Sequence, residues 1–199
     1  MAESTFRQSF RRHLREQTIA AARALTIEKG WDKVRMNEVA EQVGASRPLL
    51  YKEFGDKQGL GEAVVLQEVQ RFLVGIQQVL DEHGDSARNG ISAAVRFTLD
   101  EAEASPLLAA VLTSPRTGEP RHDTSMLPLL STSASMLELA SESMVAYFGV
   151  HFPALDAHDV AEGVDALVRL TVSHLVLPSA DTQDEGRRIS EVAIRYIGV

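Results

Sequence analysis

The chain has 199 residues, of which 44% are hydrophobic and 24% charged, with a formal net charge of −8. This is an ordinary globular composition, long enough for one domain or for a small domain joined to a medium one. The chain has no cysteine, which excludes disulfides, thiolate metal sites and cysteine nucleophiles. It also lacks an apolar run of about 18 residues, so neither a membrane span nor a secretory leader is expected and a cytoplasmic location is.

The charge is unevenly spread. Residues 1–59 hold 11 Lys and Arg against 8 Asp and Glu, whereas residues 60–199 hold 9 against 20. A mildly basic head on an acidic body predicts that only the head meets a polyanion. Segments rich in Ala, Leu, Val, Glu and Arg, broken by short Gly, Pro, Ser and Asp clusters, predict helix nearly throughout. The first helix is predicted over Phe10–Lys29, with an apolar stripe of Ile19, Ala21, Ala22 and Leu25 and a stop at Gly30. The second is predicted over Met36–Val43, and a third runs from just after Ser46 to Phe54. After Gly55-Asp56-Lys57 a long fourth helix continues to Glu82. Gly59 and Gly61 lie in its first turns and cost up to ~1 kcal/mol each relative to alanine, which predicts a soft start.

The fifth helix is predicted over Ser86–Ala104 and the sixth over Leu107–Thr113, with Pro106 in its first turn. Ser114–Thr124 reads as loop. A seventh helix is expected over Met126–Phe148, an eighth over Ala157–Leu177 and a ninth over Glu185–Ile197. The fold class is therefore all-α, about nine helices, with a head of residues 1–56 and a body of residues 57–199.

Within the head, Val39, Val43 and Leu50 are spaced to close a small core around two short crossing helices. Ala40 is small enough for their contact, and Gly44 tolerates the left-handed turn between them. Ser46 is placed to cap the second of the pair, and Pro48 sits in its first turn. This is a helix-turn-helix pattern with Ser46–Phe54 as the recognition helix. Arg47 suits a guanine edge or a phosphate, Leu49 a thymine methyl, and Tyr51 and Lys52 phosphates. Lys57, with the N-terminal amides of the fourth helix behind it, suits another phosphate. Arg7, Arg11, Arg12 and Arg15 precede the motif and are placed to follow the backbone or enter the minor groove.

The stretch from Glu28 to Leu60 resembles the TetR family of transcriptional regulators. Glu28-Lys29-Gly30-Trp31, Val39-Ala40, Val43-Gly44, Leu50-Tyr51, Phe54, Lys57 and Leu60 stand where that family has its characteristic residues. The likeness covers residues 10–60, and the later helices fit the family's plan in number and length. It implies three DNA-binding helices and a ligand-binding, dimerising C-terminal domain responsive to a small molecule. It also implies Arg47, Pro48, Leu49, Tyr51, Lys52 and Lys57 as DNA contacts. Three features depart from the pattern: the Gly59 and Gly61 pair, expected to soften the link between head and body, and two single positions. Arg35 replaces the usual capping Thr or Ser and is expected to reach a phosphate instead, and Thr26 replaces a large apolar residue, often Phe.

In the body, helices five to seven are expected to enclose a largely apolar ligand. The candidate pocket residues are Phe97, Thr98, Met126, Leu129, Ser133, Met136, Leu137, Tyr147 and His174. Val160, Val164, Leu167, Val168, Thr171, Val172 and Leu175 make a broad apolar face on the eighth helix. Ile189, Val192, Ala193, Tyr196 and Ile197 make another on the ninth. Two such hairpins (about 157–177 and 185–197) predict a two-fold four-helix bundle in a homodimer, and hence a pseudo-palindromic operator. Arg169 is expected to pair with Asp165.

The overall expectation is a repressor released from operator DNA by a small-molecule effector. One alternative is a helix-turn-helix dimer with no inducer; a helical enzyme is another. The six histidines give no close metal-ligand pair on one helix, and only His151, Asp156, His158 and Asp159 gather around a loop. With no phosphate loop, dinucleotide fingerprint or nucleophile elbow, no enzyme, metal or cofactor is expected.

Overall fold

The computed structural model describes residues 2–113, 133–178 and 182–199; the side chains of residues 2–7, 113, 133–136 and 182–184 lie outside that description. Met126 and Leu129 therefore fall outside it, and Ser133 and Met136 are described by backbone alone. The described residues form nine α-helices and one short 3-10 turn. The helices are α1 (Ala2–Lys29), α2 (Met36–Gln42), α3 (Arg47–Phe54), α4 (Lys57–Glu82), α5 (Ala87–Ala104), α6 (Pro106–Thr113), α7 (Ser133–His151), α8 (Ala157–Val176) and α9 (Thr182–Ile197). The 3-10 turn, Trp31–Lys33, was not expected from the sequence; it buries Trp31.

The chain forms two compact units, and the first extends through Glu68, well past the boundary expected at residue 56. The reason lies in the first half of α4. Leu60, Ala63, Val64 and Val65 are buried there. Glu68 is buried too, and Arg23 on α1 grips its carboxylate through two hydrogen bonds, Nε–Oε2 at 2.6 Å and Nη2–Oε1 at 3.0 Å. A buried carboxylate is tolerable only when paired and hydrogen-bonded, so this clamp sets how α4 lies on α1.

Two threonines sit within the same core. The hydroxyls of Thr18 and Thr26 donate to the carbonyls of Leu14 and Ala22 at 2.7 Å. Each is thus satisfied within α1, and Thr26 takes the place of a large apolar residue with no polar group left unpaired. At the start of α4, Gly59 has a steric role beside its cost in helix propensity. A Cβ on Gly59 would overlap the carbonyl oxygen of Phe54, while the Gly59 amide receives a cap from Asp56 Oδ1 at 2.8 Å. Gly59 is there because α3 and α4 meet too closely for any side chain.

The second unit comprises the described residues from Val69 onward. Its core draws on α4 to α9, with Phe148, Leu80, Ile91, Leu108 and Ile194 among its fully buried side chains. α8 starts on an Asp156 cap, whose Oδ1 accepts from the amides of His158 and Asp159. Asp156, one of the cluster considered for a metal, is thereby used in capping. α8 and α9 pack closely at Gly163, where a Cβ would come within 2.5 Å of Ile197 Cγ1.

The faces of these two helices correct the sequence reading. Val160, Val164, Leu167 and Thr171, expected to face a partner, are buried in this chain's own core, as are Ile189, Ala193 and Ile197. Val192 and Tyr196 of the expected faces stay exposed, as do Leu170, Val176 and Leu177 outside them.

The Arg23–Glu68 pair yields a test. Arg23 retains 30% of its side-chain surface and Glu68 only 1%, so taking this pair from the glutamate costs more than taking it from the arginine. Arg23→Leu should lower unfolding stability by about 3 kcal/mol, Glu68→Leu by clearly less, as measured by urea denaturation. Equal losses would mean the burial asymmetry has no energetic weight.

Candidate functional site

The recognition helix stands on the core of the first unit through Leu50 and Phe54, both buried. Gly44, at φ 65°, makes the turn from α2, and Ala40 is buried at the crossing. Ser46 occupies the N-cap position in extended conformation, but its side chain makes no capping hydrogen bond, so that part of the sequence reading is corrected. The backbone carbonyl of Ser46 accepts from Leu49 and Leu50, and Pro48 lies in the first turn as expected. Ser46, Arg47, Pro48, Leu49 and Lys52 form an exposed face. On that face the Arg47 guanidinium lies 5.3 Å over the Tyr51 ring, and its Nη2 donates to the Tyr51 hydroxyl at 3.3 Å. The stack holds a long cation in one place, lowering the ordering cost of a contact.

Arg35 and Lys57 form a second cationic position. Arg35 is at the N-cap of α2, exposed and without a side-chain cap. Lys57 lies 5.1 Å over the Trp31 ring and donates to the Asp32 carbonyl at 3.2 Å. Burial pushes the Lys57 pKa down, Arg35 adds to the shift, and Asp32 partly offsets it. The α4 amide at Gly59 is already capped by Asp56, so Lys57 and Arg35, rather than that amide, supply the charge here.

The arginines placed by sequence before the motif are on α1 itself. Arg11 and Arg15 both reach Glu53 on α3, at 2.5 and 3.3 Å, and Arg15 also lies 4.9 Å over Phe54. The sequence reading missed Glu53; nothing in its local spacing shows that a residue about forty positions away carries its counter-charge. Arg12 stays exposed, and the Arg7 side chain is outside the described residues.

In the second unit an apolar cavity of about 50 Å³ opens between α4, α5, α6, α7 and α8. Fourteen described residues line it, and only Thr98 and Thr171 among them are polar. Both are spent internally, donating at 2.8 Å to the carbonyls of Ala94 and Leu167. Of the expected pocket residues, Thr98 and Leu137 line this cavity. Phe97 does not; it stacks on Phe72 and covers Gly75. Tyr147 is held elsewhere, donating to the Leu80 carbonyl at 2.6 Å and stacking on His151, and burial together with Asp81 and Asp85 pushes its pKa up. His174 borders a different cleft, beside Ser92 and Arg96.

On the exposed side of α8, Arg169 pairs with Asp165 at 2.6 Å as expected. The Tyr196 hydroxyl donates to Glu162.

A short recognition helix on a glycine turn, with an arginine held on its outer face, defines a helix-turn-helix DNA-binding protein. The model of the bacterial regulatory proteins of the tetR family matches residues 19–64, and that of the bacterial tetracyclin repressor C-terminal domain matches residues 86–195. The chain belongs to the TetR family and is a DNA-binding transcriptional regulator, not an enzyme. It is 27% identical to the HTH-type transcriptional regulator AlkX of Mycobacterium tuberculosis, over 90% of this chain and 82% of that protein. It is 37% identical to the HTH-type transcriptional repressor BdcR of Escherichia coli over a shorter stretch, 35% of this chain and 36% of that protein. The crystal structure of the TetR family repressor AlkX from a Dietzia strain, implicated in n-alkane biodegradation, superposes with a TM-score of 0.65. It shares 24% identity and covers 92% of this chain and 96% of that one. RolR, solved with resorcinol, superposes with a TM-score of 0.62 at 17% identity, covering 96% and 90%. Like its relatives, the protein is of a family that binds operator DNA and dimerises.

Glu53 neutralises charge next to the recognition face. Glu53→Gln should therefore release Arg11 and Arg15, tighten binding to random duplex DNA at low salt and steepen the log K against log salt slope by about one. Equilibrium binding measured at several salt concentrations checks this; an unchanged slope would show that neither arginine reaches phosphate.

Proposed function

We propose that the protein is a homodimeric repressor that leaves a pseudo-palindromic operator when a small, largely apolar ligand enters the cavity between α4 and α8. The observation that carries this reading is the lining of that cavity. Its two polar side chains have already spent their hydrogens on their own helices, so a ligand gains there only by burying apolar surface. The association of the Dietzia repressor with n-alkane biodegradation supports the same ligand class. Repression is favoured by that protein and by BdcR, although the FasR relative from Mycolicibacterium smegmatis is named an activator. α4, one continuous helix from Lys57 to Glu82, carries cavity residues Phe72 and Ile76 and begins beside the DNA-reading helix.

In this reading Arg47 reads a base edge, with Leu49 against a thymine methyl. Ser46, Pro48, Tyr51 and Lys52 hold the backbone, and Arg35 and Lys57 share a phosphate. A phosphate between those two cations offsets the burial that chiefly lowers the Lys57 pKa and the Arg35 repulsion that adds to it. Dimerisation uses the exposed stripe of Leu170, Val176 and Leu177 on α8 with Val192 and Tyr196 on α9. No helix among the described residues is long and apolar enough to cross a membrane, and a regulator that must meet DNA works in the cytoplasm.

Three measurements test the parts separately. Arg47→Ala should weaken the selected operator by about 1–3 kcal/mol and random DNA far less; equal losses would make Arg47 a phosphate contact only. Leu137→Trp, which fills the cavity, should leave operator affinity within about twofold and abolish release by n-alkanes in a mobility-shift assay; unaltered release would place the effector elsewhere. Val176→Glu with Val192→Glu should give a monomer by light scattering, whereas a persisting dimer would exclude this face.

A further inference from the structure

The apolar cavity has a larger neighbour in the same unit. A cleft of about 710 Å³ lies between α5, α6, α8 and α9, against about 50 Å³ for the cavity. The two meet along three helices. On α5, Val95 and Thr98 line the cavity while Arg96 and Leu99 line the cleft. On α6, Leu112 lines the cavity and Ala109, one turn earlier, the cleft. On α8, Val172 lines the cavity, His174 the cleft, and Leu175 both. The partition is thin towards α9 as well, where a Cβ on Gly186 would lie 3.4 Å from Leu99 Cδ1 and 3.9 Å from Val95 Cγ1.

The cavity alone does not hold a chain. One water-sized centre takes roughly 10–15 Å³, so 50 Å³ leaves room for about four non-hydrogen atoms. The cleft has ample room and is bordered by Ser92, Arg96, Asp100 and Glu103, all exposed to solvent. Leu175 stands between the two, half-buried against the core. Its backbone is held. The Leu177 amide donates to the Ser173 carbonyl at 2.9 Å, and His174 Nδ1 lies 3.0 Å from Glu185 Oε1 on α9. What moves is the side chain, by a hop between staggered rotamers. On the cleft side Ala102 and Ala109 are small, so the displaced isobutyl group lands on an apolar wall beside Leu99.

We propose that Leu175 is the gate of the ligand site. A linear apolar chain enters through the cleft and, once bound, lies across Leu175, with its hydrocarbon end in the cavity and its remainder in the cleft. The gate rests on the cavity's assignment as the effector site, and it adds a rule of selection. The cavity wall has no free hydrogen-bonding group to offer, so any polar end of the chain stays outward at the wet mouth of the cleft.

Xenon and 1-decanol, both followed by NMR on the intact protein, test this. Xenon binds dry apolar cavities and reports on the cavity alone; 1-decanol is too long for the cavity and should displace xenon only by crossing the gate. The chain has no cysteine, so Arg96→Cys takes a bulky maleimide at one place and plugs the cleft. Relative to unlabelled Arg96→Cys, the label should weaken 1-decanol about tenfold and leave xenon within about twofold. Leu175→Ala should tighten 1-decanol about tenfold, because no side chain then has to be displaced; truncating a residue that is only wall would weaken it. Arg96 is exposed, so its labelled variant keeps the test if Leu175→Ala does not fold. Failure of 1-decanol to displace xenon, indifference to the label, or weaker binding in Leu175→Ala overturns the gate. Leu137→Trp separates the gate from the reading beneath it. Loss of xenon and 1-decanol together upholds the cavity whatever the gate variants show, whereas survival of 1-decanol in Leu137→Trp overturns the cavity assignment and the gate with it.

Discussion

Glu68 is the constraint from which the rest of the first unit follows. A carboxylate with almost no access to water has to be answered by a cation held in place, and Arg23 answers it with two bonds. That demand fixes the register of α4 against α1, and with it the point at which α3 must turn into α4. The overlap that excludes a side chain at Gly59 is the other end of the same arrangement. A polar clamp specifies register in a way that the surrounding Leu60, Val64 and Val65 do not, since apolar contacts are tolerant of sliding and a bidentate pair is not.

The surface built on this base balances charge within a few residues. Arg47 is held on Tyr51 and Lys57 on Trp31, so two cations are presented by aromatic platforms rather than by carboxylates. A cation parked on a ring keeps its charge available to a phosphate, whereas one paired to a carboxylate gives part of it up. Arg11 and Arg15 are in the second condition, tied to Glu53. The recognition face thus separates cations ready for contact from cations held in reserve, a distinction that net charge cannot express.

Much of this was legible in the sequence because it is local. Gly44, Pro48 and the spacing of Leu50 and Phe54 specify the turn and helix by backbone chemistry within ten residues, and α4 begins and ends where its flanking signals place it. The start of α1 was missed by eight residues because a polar, arginine-rich segment offers no apolar period to count. Periodicity in α8 and α9 marked most of the residues that avoid water, although Val192 and Tyr196 stay exposed. It could not say whether another chain or their own core covers them, since both remove the same area. Val164 and Leu167 therefore read as an interface and are core. Ser46 shows the same limit on a smaller scale: residue type gave the cap position, and side-chain direction decided against the bond.

In the body, residue type did not say which side chains line the apolar cavity. Tyr147 and Phe97 are large and suitably placed along their helices, but each has a specific intramolecular partner, the Leu80 carbonyl and the Phe72 ring. Such partners lie up to sixty-seven residues away and leave no trace in local pattern. Thr98 and Thr171 are subtler, because their presence in a cavity suggests polar recognition and their hydrogen bonds remove it. A threonine that donates to the carbonyl four residues back presents mainly its methyl group to the cavity, so the wall is more apolar than its composition.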